Sequence, residues 1–154
     1  MLVNKKHIAW FLLAGLVLMT IGYYEGRKYL ADVQVRELCA VDGGIKVYET
    51  VTLPAEKFDR FGNFKIPMKK DAKASDEYYY EWDLRYLKPG NAEILRSEHR
   101  VVRVSDRKIL GESIRYIRRG GDFPSPMHES SYICPEINSQ VSAEKSIFQM
   151  KSEK

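Results

Sequence analysis

The sequence predicts an α+β fold: an N-terminal membrane helix followed by a small domain with an antiparallel sheet of about four strands and one or two helices. Three observations predict it. Ile8 to Tyr24 contains no charged side chain. Tyr78 to Leu87 alternates Tyr78, Tyr80, Trp82, Leu84 and Tyr86 on one side with Glu81, Asp83 and Arg85 on the other, the period of two expected of a strand. Ala92 to Val104 and Ile109 to Arg118 are two further extended stretches separated by the turn-like Ser105-Asp106-Arg107-Lys108, so the three stretches read as a meander.

Residues 1–7 form a basic lead containing Lys5, Lys6 and His7, and residues 8–24 form the apolar segment. At about 1.5 Å per residue the apolar segment spans roughly 25 Å, a little short of the approximately 30 Å hydrocarbon layer. Trp10 at one end and Tyr23-Tyr24 at the other favour the headgroup level, and Lys5, Lys6, Arg27 and Lys28 lengthen the span by reaching outward. These flanks favour a transmembrane anchor. A signal peptide cleaved after Thr20-Ile21-Gly22 is the competing reading, weakened by the bulky tyrosines that follow and by the missing Ala-x-Ala. Lys5 and Lys6 stand against Arg27, Lys28 and Arg36, so charge alone does not orient the helix. Gly22 and Gly26 have small-xxx-small spacing at the membrane edge, where chance accounts for it, and homo-oligomerisation stays open.

Residues 25–135 then form one domain. Helical character runs past the membrane through Tyr29, Leu30, Val33 and Leu38, and Asp42-Gly43-Gly44 should stop it. Ile45, Val47, Val51 and Leu53 alternate with polar residues as one half-buried strand. Pro54 to Phe61, ended by Gly62, reads as a turn or two of helix, and Met68 to Glu77, rich in charge, as an exposed loop. Residues 136–154, polar and lysine-rich around Phe148, read as a flexible tail.

The protein carries 25 Lys and Arg against 21 Asp and Glu, a net charge of +4. With Lys5 and Lys6 set aside the domain is close to balance, which gives no electrostatic footprint for nucleic acid. Cys39 and Cys134 stand near the two ends of the domain. If paired they close a loop of about 96 residues, for which chain entropy gives roughly 4.7 kcal/mol, and such a bond persists only outside the cytoplasm. Two free buried thiols are the alternative. Two cysteines without clustered histidines do not make a four-ligand zinc site.

No nucleophile elbow, phosphate-binding loop, dinucleotide fingerprint or His-Glu-x-x-His motif is present, so no cofactor or metal is implied and catalysis has little support. The one loop with catalytic residue types is Asp122 to Ser131, where His128 lies near Ser125 and Ser130, residues more ordinarily found as solvated turn formers. His99, between Glu98 and Arg100, reads as a hydrogen-bonded strand histidine. Arg96 to Arg119 holds Arg96, Arg100, Arg103, Arg107, Lys108, Arg115, Arg118 and Arg119 against Glu98, Asp106 and Glu112. This basic hairpin would either meet an anionic surface or pair internally with the acidic face of Glu81 and Asp83, itself read as part of a salt-bridge ladder with Arg85.

Asp42-Gly43-Gly44-Ile45-Lys46-Val47-Tyr48-Glu49-Thr50-Val51, Leu110-Gly111-Glu112-Ser113, Tyr116, Arg118, Gly120-Gly121-Asp122, Pro124, Ser130-Ser131 and Cys134-Pro135 together resemble a pattern in small uncharacterised proteobacterial envelope proteins. The resemblance covers most of residues 38–135. It implies an extracytoplasmic module whose two cysteines belong to one unit, and it brings no activity with it.

The expected protein is therefore anchored in the inner membrane by a single pass, faces the periplasm, and binds an envelope partner or serves structurally; the alternative is a periplasmic protein released by signal cleavage. Two other functions stay open: a hydrolase or transferase using His128 with a nearby serine, and a small-ligand binder lined by Tyr78, Tyr80, Trp82 and Tyr86.

Overall fold

The computed structural model describes residues 5–123, 129–136 and 142–151. Helix α1 runs without interruption from Lys5 to Asp42. It is long and apolar enough to cross a membrane, and none of its apolar stretch is buried against the rest of the chain. The helix stops where Gly43 donates its backbone N–H to the Cys39 carbonyl at 2.8 Å. A Cβ at Gly43 would fall 2.6 Å from that carbonyl oxygen, so only glycine closes this turn.

The sheet has β1 (Gly44–Val47), β3 (Tyr78–Lys88), β4 (Ala92–Arg103), β5 (Ile109–Gly120) and β6 (Ser131–Cys134). All its pairings are antiparallel. The meander β3-β4-β5 forms the body, and β1 and β6 lie end to end along the far edge of β5. The α+β architecture expected from the sequence is thus present, with one strand more in the main sheet.

Two parts of the chain depart from the sequence reading. Residues 45–53 do not make one strand: the backbone N–H groups of Tyr48 and Glu49 both donate to the Leu110 carbonyl, the chain turns there, and Val51–Leu53 becomes β2 of a separate sheet. The expected flexible tail is ordered over most of its second half. Ser142 caps α2 (Ala143–Ile147) by accepting from the Lys145 N–H, and β7 (Phe148–Met150) pairs in parallel with β2. Five residues of helix and three of strand are too few to show a period in the sequence.

The core lies in two layers, one on each face of the sheet. Ala31, Val35 and Cys39, spaced four apart on α1, pack on Ala92, Ile94, Ile114 and Tyr116. On the opposite face Leu53, Tyr78, Val101 and Leu110 are covered by Ala143, Ile147 and Phe148. The disulfide Cys39–Cys134, with Cα atoms 5.9 Å apart, ties α1 to β6. Of the five large side chains expected to form one core face on β3, only Tyr78 is buried; Trp82 and Tyr86 are exposed.

Candidate functional site: a charged groove on the helix side of the sheet

Helix α1 covers β4, β5 and β6 but leaves β3 uncovered. Because side chains alternate along β3, Tyr79, Glu81, Asp83 and Arg85 share the helix-side face, and the register sets Glu81 opposite Arg100 and Asp83 opposite Glu98. The outer edge of β3 is partly closed by the segment before it: Tyr80 donates its N–H to the Pro67 carbonyl, and a short 3-10 turn follows at Lys69–Asp71. Between this turn and the strands lies a groove of about 690 Å³ lined by Met68, Lys69, Lys70, Glu81, Trp82, Asp83, Arg85, Glu98 and Arg100. It continues past Lys69 and Glu81 into a second hollow of about 650 Å³ that reaches Tyr79, Arg107 and Ile109.

Every carboxylate of the groove has a cation beside it. Lys69 Nζ donates to Glu81 Oε1 at 2.6 Å, and Arg85 pairs with Asp83. Glu98, nearly buried, lies between Arg96 and Arg100, its neighbours two residues either way on the same face. Burial alone would raise the Glu98 carboxyl; the hydrogen bonds from both arginines outweigh it and hold the group below its ordinary range. Arg96 continues the network by donating to Asp42 Oδ2 at 3.1 Å, and Tyr116 OH donates to Asp42 Oδ1 at 2.7 Å. The groove is therefore lined by paired side chains of mixed sign and joined through Arg96 to the end of α1.

The basic residues singled out in the sequence are mostly paired within the fold, and their partners differ from those expected. Arg96 and Arg100 hold Glu98 in place of Glu81 and Asp83, and Arg103 pairs with Glu49 and Asp106. Arg118, its side chain only 3% exposed, donates from Nε to Asp32 Oδ1 at 2.7 Å and from Nη1 to the carbonyls of Gly120 and Ser130. Arg115 and Arg119 form no ion pair among the described residues. The ladder expected on β3 reduces to Arg85 with Asp83 on one strand, and Lys69, from the charged segment before β3, neutralises Glu81.

The loop with catalytic residue types is used structurally where it is described. Ser130 Oγ accepts from Arg118 at 2.9 Å and donates to Asp122 Oδ1 at 2.8 Å. Asp122 also receives Lys28 Nζ at 2.7 Å and the Ser130 N–H at 2.6 Å, which together hold its carboxyl far below the ordinary range. His128 and Ser125 lie outside the described residues. Tyr78, Tyr80, Trp82 and Tyr86 do not converge on a cavity. Tyr78 meets Phe64 and Phe148 in the core, while Tyr80 and Trp82 each stack on His99, at 6.0 and 5.9 Å. Among the described residues no group of three or more His, Cys, Asp or Glu is placed to hold a metal ion.

No family model, curated protein or solved structure matches the chain. Its geometry alone carries the functional reading.

Proposed function

We propose that this protein is a single-pass membrane protein of the bacterial envelope that presents a disulfide-closed domain on the periplasmic side of the inner membrane, where the groove beside β3 binds a protein partner. The observation that carries the reading is the continuity of α1. One unbroken helix leads from an exposed apolar stretch into the core, where Ala31, Val35 and Cys39 are buried and Cys39 is bonded to Cys134. An anchor built this way holds the domain at a fixed height and orientation, which suits presentation of a surface. The disulfide supports an oxidising compartment.

Binding is favoured over catalysis by the chemistry of the groove. Each carboxylate of its lining is held by a cation, Glu81 by Lys69, Asp83 by Arg85 and Glu98 by Arg96 and Arg100, which opposes a role as base or nucleophile, and the lining holds no serine, cysteine or histidine. It offers Lys70 and Arg85 beside Asp83 and Glu81, an alternation of sign that selects a complementary peptide surface over a simple anion or cation.

Two measurements test the two halves of this reading. Alkylation of the membrane fraction with and without reductant should label Cys39 and Cys134 only after reduction; labelling of both thiols without reductant, in a protein recovered from the soluble fraction, would overturn the anchored, oxidised assignment. Photo-crosslinkers placed at Lys70 and Asp83 in intact cells should trap a discrete adduct that Arg85→Glu weakens. Recovery of the monomer alone from both positions would refute the binding role.

A further inference from the structure

The sheet stands end-on to the plane that α1 would cross. Lys28 lies against Gly121 and bonds Asp122, while Gly44, just past the helix end, pairs with Ile114. Between these two contacts the helix side climbs roughly sixteen residues, about 24 Å at helical rise, and β5 descends roughly seven, about 23 Å at strand rise. The two lengths agree only if β5 runs nearly antiparallel to α1. The sheet end made by the β3–β4 turn and the end of β5 therefore points along the helix toward its apolar stretch.

That end carries a particular set of side chains. Tyr24, the last residue of the uncharged run, meets Phe123 edge-on with ring centroids 5.4 Å apart, so Phe123 lies at the depth where the apolar stretch ends. Gly120 packs so closely on the Asn91 carbonyl that a Cβ there would come within 2.4 Å of the oxygen, which sets Asn91 level with Gly120, while Lys88 at the start of the turn is level with Arg118. Lys28, beside Gly121, is four residues past Tyr24, about 6 Å of helix. Next to the turn, Leu87 is 46% exposed, and Phe123 is 51% exposed. Lys88 and Arg119 stand at the same end of the sheet, Lys88 level with Arg118 and Arg119 opposite Glu93.

We infer that this end of the sheet is a second membrane contact, with Phe123 and the β3–β4 turn seated among phospholipid headgroups, Leu87 at their outer edge, and Lys88 and Arg119 directed to the phosphates. The inference rests on the reading that α1 spans the bilayer. Exposed aromatic and aliphatic side chains beside cations, held at the height where a span leaves the hydrocarbon, match the chemistry of the headgroup layer. A soluble partner would have to reach this surface from beneath the domain, where the bilayer itself lies.

The test uses the full chain, oxidised at Cys39–Cys134, in vesicles of phosphatidylcholine and phosphatidylglycerol. An added cysteine at one of Leu13, Leu87, Val104 or Phe123 carries an environment-sensitive fluorophore, and nitroxide lipids serve as depth-dependent quenchers. Headgroup-level nitroxides should quench Leu87→Cys and Phe123→Cys several-fold more than Val104→Cys, which marks the opposite end of β4. Leu13→Cys reports the span itself. Strong deep quenching at Leu13 with no more quenching at Leu87 and Phe123 than at Val104 overturns this inference and leaves the anchor standing. No quenching at Leu13 overturns both. Shielding at Leu87 without nitroxide quenching, and only at high protein density, would mark a second copy of the chain there and also overturn it.

Discussion

Arg118 shows how this fold tolerates a buried charge. A guanidinium taken out of water is stabilised only when a carboxylate and further acceptors surround it, and here Asp32, Gly120 and Ser130 supply them. Since Asp32 belongs to α1 and Ser130 lies just before β6, the charge fixes a three-way junction as well as being satisfied by it. His99 is the opposite case, a titratable group without a counter-charge in contact among the described residues. Burial holds its imidazole below the ordinary value; Glu144 opposes that shift and Arg115 reinforces it. Near pH 6.5 and below, the unfolded chain accepts a proton that the folded chain resists. The stability associated with His99 is thus fully present above about pH 6.5 and is lost as pH falls through the lower folded value. Denaturant midpoints should decline from about pH 7.5 to about pH 5, and His99→Gln should flatten that decline. Asp122 and Glu98, whose carboxyls are held low, lose their contribution only below about pH 4 and do not enter this window. Equal slopes in the two proteins would show that His99 is not the titrating group.

At the scale of elements, the short C-terminal unit has weight out of proportion to its length. Ile147 is fully buried over Val101 and Leu110, and it lies so close to β5 that a Cβ at Gly111 would come within 2.9 Å of its Cδ1. Ile147→Ala should cost about 3 kcal/mol, the loss of several buried methyl and methylene groups plus the cavity left behind. Met150→Ala, at an exposed position in the same unit, should stay within about 0.5 kcal/mol. Chemical denaturation of the two variants checks this; equal midpoints would mean that α2 and β7 do not cover the sheet. The contrast with α1 explains what the sequence discloses. The run Ile8 to Tyr24 and the stop at Gly43-Gly44 are local signals repeated over many residues, and both are legible. So is the alternation along β3. The pairing of the arginines is less so, because two of them are neutralised across the fold: Asp32 is 86 residues from Arg118, and Asp42 is 54 from Arg96. Counting charges along the hairpin finds an excess of arginine, but only the tertiary fold shows which arginines are already occupied. Lys69, which completes the groove, sits in a segment whose composition signals no more than exposure.

Across the whole molecule, three bolts spaced along α1 ahead of its terminal Asp42 contact join the apolar stretch to the domain. Lys28 bonds Asp122, Asp32 bonds Arg118, and Cys39 bonds Cys134, so the attachment extends over about 16 Å of helix. A single attachment point would act as a hinge; three in line resist both bending and rotation. The helix and sheet should therefore move as one body. Spin labels at Leu13 and Val104, in the full chain reconstituted in lipid, should give one narrow distance distribution. Exposed salt bridges contribute little each, whereas Asp32 faces an arginine that has almost no access to water. Asp32→Ala combined with reduction of the disulfide should accordingly broaden the distribution, while Lys28→Ala alone should leave its width nearly unchanged. A broad distribution in the intact, oxidised protein would show that α1 flexes between the apolar stretch and the domain. The sheet would then have no fixed direction relative to the membrane, and neither the groove beside β3 nor the end bearing Phe123 would be held in place.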